Sequence, residues 1–293
     1  MPPPEFSVLS AKMPGAIFRA AQTMGGRRNR QIKLCGRGAP RTNRPGKGMR
    51  MTDYITGYFY GPTDRERFAK ALAEMLEVAP QPRFFGDNMA AFGRNLSFLA
   101  DRDFMSAFEG AGPDSQERSI IWRSHIVCWA ARRALQLGGD LVEAACYKGF
   151  TARVVYDALK LRDSTAHYWL YDAFESDHVR YAMAEHSAGL HEQVIARFSD
   201  APNVHVIKGL LPESLADGAP ERIGFMHIDM NDPKAEIAVL DALFDRVLPG
   251  AFIVLDDYGW EGYVAQKLAA DWWFQQRGLQ VLELPTGQGL VIR

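Results

Sequence analysis

From residue 139 onward, short apolar runs alternate with amphipathic stretches. Runs of strand type lie at 141–146 (LVEAAC), 167–173 (HYWLYDA), 203–208 (NVHVIK), 223–229 (IGFMHID) and 251–256 (AFIVLD). Their near-continuous apolarity is that of strands buried on both faces. Helical spacing fills the gaps at about 150–161, 178–198, 212–217 and 232–247. In the last of these, Ile237, Leu240, Leu243, Phe244 and Val247 make a core-facing side, Asp232 is the cap, Pro233 opens the first turn, and Pro249 and Gly250 end it. Repeated strand–helix–strand units predict an α/β fold with a mainly parallel sheet covered on both faces. A helix near 260–276 and a hairpin of 279–284 and 289–292 around Thr286 and Gly287 close the chain.

Upstream the period is helical. Segment 62–79 has start signals at Pro62, Thr63 and Asp64 and apolar positions at Phe68, Leu72, Met75 and Leu76. A second helix is predicted over about 88–108. A third, over 116–137, carries Ile120, Ile121, Val127, Ala130, Ala131, Ala134 and Leu135 and stops at Gly138 and Gly139. The expected organisation is a helical cap or flank over 51–138 and a catalytic domain over 139–293.

Charge separates the first 50 residues from the rest. They hold 11 Lys or Arg and one acid, Glu5, which leaves 23 basic and 34 acidic residues, a net of −11, for 51–293. An acidic body argues against a nucleic-acid surface. The leader, rich in Pro, Gly and Arg without periodicity, is expected to be disordered. Its composition fits a transit peptide or a nucleic-acid tail, and Met49 and Met51 at the boundary fit a start codon set too far upstream. No apolar run reaches the roughly 20 residues that span a bilayer, so no membrane association is expected. The three cysteines, Cys35, Cys128 and Cys146, match no zinc spacing and leave a thiol over from any pairing, as in a reducing, cytoplasmic setting.

In open sheets of this kind the ligand sits beyond the carboxyl ends of the strands, near the point where strand order reverses. The first strand holds Glu143 and runs through Ala144, Ala145 and Cys146 into Tyr147, Lys148 and Gly149, a turn that can aim backbone N–H groups at an anionic group. The second ends at Asp172, where a carboxylate can accept both hydroxyls of a ribose. With only Gly149 in the turn, a dinucleotide pyrophosphate is disfavoured, whereas S-adenosylmethionine needs no phosphate site. The bland alternatives are that Glu143 caps the turn and Asp172 opens a loop. Asp229 and the pair Asp256 and Asp257 end two strands 27 residues apart, room for one crossover helix. Three carboxylates at one rim repel one another unless a cation or protons offset them, and hard oxygen donors suit Mg2+ better than zinc. Asp257 could instead cap the next helix.

From about Trp122 to Arg293 the chain resembles the macrocin O-methyltransferase type of class I S-adenosylmethionine-dependent methyltransferases, which act on sugar hydroxyls of macrolide and aminocoumarin natural products. The motifs are GDLVEAACYKG (139–149), YDAFES (171–176), VIKGLLPESL (206–215), HIDMNDP (227–233) and LPGAFIVLDDYGW (248–260). The resemblance implies a Rossmann-like, mainly parallel seven-stranded sheet with helices on both faces and an N-terminal helical cap. It places Glu143, Ala145, Tyr147, Gly149, Asp172, Phe174 and Gly209 around the cofactor and Mg2+ on Asp229, Asp256 and Asp257. It also implies a homodimer. Two departures stand out: Ala145 where relatives have Gly, and Asn231 where relatives carry the second Asp of an Asp-x-Asp-x-Tyr run.

The expected function is Mg2+-assisted O-methylation of a small hydroxylated molecule, a glycosylated metabolite among the candidates, with Asp229 as the proton acceptor. A metal-dependent hydrolase and a noncatalytic cofactor-binding or assembly protein are the alternatives. His227 is expected to be buried and satisfied, and His178, His186 and His191 to be solvated. Trp260, Tyr263, Trp272 and Trp273 are candidates for an acceptor pocket, a subunit contact or aromatic core. Tyr58, Phe59 and Tyr60 are candidates for a lid or for packing of the N-terminal helices.

Overall fold

In the computed structural model, which describes residues 53–175 and 186–293, the chain opens with strand β1 (Tyr54–Ile55) and helix α1 (Arg65–Val78). The Asp64 carboxylate caps α1 by accepting from the Arg67 N–H. The helix is where its spacing puts it, yet none of its residues is buried, and Phe68 and Met75 stand 38% and 42% exposed. Periodicity fixed the helix without fixing a partner for its apolar side. The leader 1–50 and His178 lie outside the described residues.

The single helix expected over 88–108 is not there. Strands β2 (Arg83–Gly86) and β3 (Met89–Phe92) form an antiparallel hairpin to which β1 adds in parallel. Its two-residue turn has Asp87 at φ 52° and Asn88 at φ 55°, the left-handed pair of a type I′ turn, which Asp and Asn tolerate better than other side chains. A short 3-10 turn then leads to α2 (Arg102–Gly110), capped by Asp101. The turn chemistry of Gly86-Asp87-Asn88 outweighed the apolar spacing on which the helix reading rested.

Helices α3 (Ser115–Ser119) and α4 (Ile121–Leu137) follow, with Gly138 ending α4 at φ 67°. The alternating part comes next: β4 (Asp140–Ala144), α5 (Phe150–Ala158), β5 (Tyr168–Asp172), α6 (Leu190–Arg197), β6 (Val204–Lys208), β7 (Ile223–Ile228), α7 (Pro233–Leu243), β8 (Val247–Leu255), α8 (Val264–Gln275), β9 (Leu282–Glu283) and β10 (Gly289–Ile292). Strand β8 absorbs Pro249 and Gly250, expected to end the preceding helix; α7 stops at Leu243, and one 3-10 turn joins the two.

The sheet order is β6-β5-β4-β7-β8-β10-β9, parallel from β6 through β8 and antiparallel at β10 and β9. Strand order reverses between β4 and β7, so a crevice opens beyond their carboxyl ends. Along the central strands Leu141, Phe225 and Val254 pack into one core cluster, while their neighbours Val142, Met226 and Ile253 pack into a second. That is the period-2 alternation of a sheet covered on both faces. Helix α4 meets the sheet through Ala130, Ala131 and Ala134, all fully buried. A Cβ on Gly224 of β7 would lie 2.6 Å from Ala134 Cα, so this close approach requires glycine. Among the described residues no helix is long and apolar enough to cross a membrane.

Candidate functional site

The loop leaving β4 is built from alternating left-handed residues: Ala145 at φ 68°, Tyr147 at φ 48° and Gly149 at φ 66°. Ala145 thus occupies a conformation that favours glycine. The loop is held down by Ala145 and Cys146 N–H groups donating to the Tyr171 carbonyl, at 2.8 and 3.0 Å. No side chain caps α5, whose first residues Phe150 and Thr151 line the cavity beyond the strand ends. Asp172 accepts the Tyr147 N–H at one oxygen and the Phe174 N–H at the other, both at 2.7 Å. Each oxygen keeps a lone pair for a ligand hydroxyl.

A cavity of about 680 Å³ runs from this loop to the acids beyond β7 and β8. Glu143, Ala145, Tyr147, Asp172 and Gly209 line it, as do Asp229, Asp256 and Asp257. Gly149 and Phe174 do not. A Cβ on Gly149 would meet Phe198 and Val194 at 2.9 and 3.2 Å, so that glycine serves the packing of α6. Phe174 is fully buried and its ring packs at a tilt against His191, 5.0 Å between centroids.

Asp229, Asp256 and Asp257 each direct an oxygen to one place, with the three atoms within 4.8 Å of one another. Burial and the charges of Asp256 and Asp257 hold the Asp229 carboxyl well above its ordinary pKa. Burial and the neighbouring Asp256 charge push Asp257 up to about 6. Asp256 goes the other way: burial alone would raise it, but the Arg123 charge, His227 and Gln288 bring it below the ordinary carboxylate value. Its Oδ2 accepts from Arg123 at 2.7 Å, and its Oδ1 accepts from Gln288 Nε2 at 2.8 Å with His227 Nε2 at 3.4 Å. Asp229 has no donor of its own among the described residues. An acid cluster with one unpartnered, proton-raised member fits a hard divalent cation.

Arg123 escaped the sequence reading. It comes from α4, 133 residues before Asp256, and is 7% exposed. Its Nε and Nη2 donate to both oxygens of Asp87, at 2.6 and 2.8 Å, and Nη1 bridges Asp256 and Asp257. His227 is buried as expected, but between two acids: Nδ1 lies 3.3 Å from Glu143 Oε1 without a hydrogen bond, and Nε2 faces Asp256. These partners raise its pKa well above the ordinary value although burial alone would lower it. Glu143 also accepts from Tyr168 Oη at 2.8 Å.

His186 is not solvated. It is 9% exposed, lines the cavity and lies 3.6 Å from Asp172. Trp260 and Tyr263 line the cavity, whereas Trp273 is core and Trp272 is 63% exposed. Tyr60 lines the cavity too and meets Trp260 edge-on at 5.7 Å; Phe59 packs on Phe68 of α1. Asn231, at φ 55°, presents a buried Oδ1 without a hydrogen-bond partner.

Residues 142–258 match the family model described as a methyltransferase domain. No curated protein matches the chain. Among solved structures, the O-methyltransferase NovP is 16% identical with a TM-score of 0.53, over 67% of this chain and 99% of that one. CalS11, a TDP-rhamnose 3'-O-methyltransferase of calicheamicin biosynthesis, is 13% identical with a TM-score of 0.49, over 80% and 96%. The Podospora anserina methyltransferase PaMTH1 is 14% identical with a TM-score of 0.47, over 79% and 97%. At these identities the likeness speaks to fold, and NovP supports it. The chain therefore carries, over residues 142–258, a methyltransferase domain of the class I fold.

Proposed function

We propose that the chain is an S-adenosylmethionine-dependent, Mg2+-assisted O-methyltransferase acting on a hydroxyl of a small molecule, sugar-bearing metabolites included. The observation that carries this reading is the convergence of Asp229, Asp256 and Asp257 at one end of the cavity whose other end is formed by the β4 loop and Asp172. The hydrolase alternative shares the acids but gives no role to a methyltransferase domain.

When bound, S-adenosylmethionine would supply the sulfonium methyl group and Mg2+ a Lewis acid for the acceptor oxygen. Asp172 would hold the ribose hydroxyls, and the open first turn of α5 would face the carboxylate of the methionine part. Ala145, Tyr147 and Gly209 would form the walls. Asp229, Asp256 and Asp257 would hold the cation. Asp229, which has no donor of its own among the described residues, would take the proton of the acceptor hydroxyl as the methyl carbon leaves sulfur for oxygen. Asn231 Oδ1 would accept from a second hydroxyl of the acceptor. Tyr60, Trp260 and Tyr263 would shape the acceptor's end of the cavity. A homodimer in a reducing, cytoplasmic setting, with no nucleic-acid or membrane partner, completes the proposal. The unpaired, buried thiols of Cys128 and Cys146 support the reducing setting.

The test is methyl transfer to a panel of hydroxylated small molecules, with and without a chelator, in the wild type and in D229N. Chelation should abolish turnover, and D229N should lose about 10²-fold or more in kcat. Undiminished turnover of D229N with metal still bound would remove Asp229 as the base. Chelator-resistant turnover would remove the metal.

A further inference from the structure

The rim acids do not face the cavity alone. Arg123 Nη1 donates to Asp256 Oδ2 at 2.7 Å and Asp257 Oδ1 at 3.0 Å, and so engages one oxygen on each of two of the three acids a divalent ion would use. The same guanidinium is gripped at both oxygens of Asp87, which sits on the β2–β3 turn. Trp260 covers its face, with Cζ 5.0 Å from the ring centroid. A guanidinium so committed cannot swing away, because its remaining partners would be left buried and unpaired.

The charges around it explain what it does. Four carboxyl groups, those of Asp87, Asp229, Asp256 and Asp257, gather around the rim; Arg123 sets one fixed positive charge among them, and His227 faces Asp256 from the other side. Asp87 takes two of its donor groups and Asp256 and Asp257 share the third. The rim therefore keeps an excess of negative charge that still calls for a divalent ion, but less than three free carboxylates would carry.

We propose that Arg123 is a resident counter-cation that sets the affinity of the Asp229/Asp256/Asp257 rim for divalent metal, and that Asp87 tunes it from the neighbouring hairpin. Arg123 acts through Asp256 and Asp257 and is thus a positioning residue. This inference rests on the metal reading of the site. Its signature is a pair of shifts of opposite sign. Removing the guanidinium exposes the full charge of Asp256 and Asp257 to the metal. Removing the Asp87 charge instead leaves the full guanidinium charge on those two acids.

The experiment is Mn2+ binding to the purified full-length protein, followed by electron paramagnetic resonance with Mn2+ as the only added ligand and Mg2+ competition as a check. R123M should tighten the dissociation constant by about tenfold or more, and D87N should weaken it by about threefold or more. R123K, which keeps the charge but loses the fork, should stay within about threefold of wild type. D257N separates the two readings: if wild-type binding survives D257N unchanged, the metal reading falls and this inference with it. If D257N abolishes binding but R123M and D87N both weaken it, Arg123 merely props up the rim and the counter-cation assignment is wrong. Should R123M not fold, D87N and R123K decide the matter, and a D87N protein binding as tightly as wild type overturns the assignment.

Discussion

Glu236 is 3% exposed on α7, and its Oε2 accepts from Gln266 Nε2 at 3.0 Å. Burial pushes its carboxyl from 4.5 up to about 7. A raised folded-state pKa means that the folded chain binds the proton more tightly than the unfolded one. The associated stability is therefore fully present below pH 4.5 and is lost as pH rises through 7, a difference of roughly 3 kcal/mol. The E236Q variant carries no such proton, and its amide can donate to Gln266 Oε1, which lacks a partner. Unfolding of E236Q in denaturant should fall less steeply between pH 5 and pH 8 than that of the wild type, the difference being the share of Glu236, and parallel curves would contradict the buried-acid account. Other residues divide by the reach of their contacts. Asp172, Asp229, Asp256 and Asp257 were legible because a strand end is visible in sequence. Arg123 and His186 were not: Arg123 meets acids 36 and 133 residues away, and a helical spacing gave no hint that His186 would lie against Asp172.

Among the elements, the central strands and α7 were legible from apolar runs and from Asp232 and Pro233, and the structure keeps them within a few residues. The β2–β3 hairpin was not, because four-residue strands around a two-residue turn carry too few positions to establish a period of two. Helix α1 shows the converse: its spacing was right, but the number of apolar residues says nothing about burial. Helix α4 reads as amphipathic in sequence, yet its contact with the sheet depends on backbone proximity. At Gly224 an added methyl group would lie 2.6 Å from Ala134 Cα and 2.9 Å from its Cβ. G224A should therefore force α4 off β7 and cost roughly 1–3 kcal/mol of unfolding free energy. Chemical denaturation reads that loss, and a G224A protein as stable as wild type would show that the helix can shift freely. Because α4 carries Arg123, the same substitution should also disturb the acid rim.

For the whole molecule, the reversal of strand order between β4 and β7 sets one crevice between two kinds of acid: Asp172, held by backbone N–H groups, and the rim acids, of which Asp256 is held by Arg123, His227 and Gln288 and Asp257 by Arg123. His227 ties the halves together, since its two ring nitrogens face Glu143 under the loop and Asp256 on the rim. What sequence could not supply is the acceptor's shape, because the cavity wall of Tyr60, Ile120, Arg123 and Trp260 is assembled from three separate stretches of chain. The most direct measurement is a crystal structure with S-adenosylhomocysteine and Mn2+, located by anomalous scattering. The ribose should lie on Asp172 and a metal peak between Asp229, Asp256 and Asp257, facing the same open volume. Product bound elsewhere, or a rim that stays without metal while the product is in place, would contradict this placement.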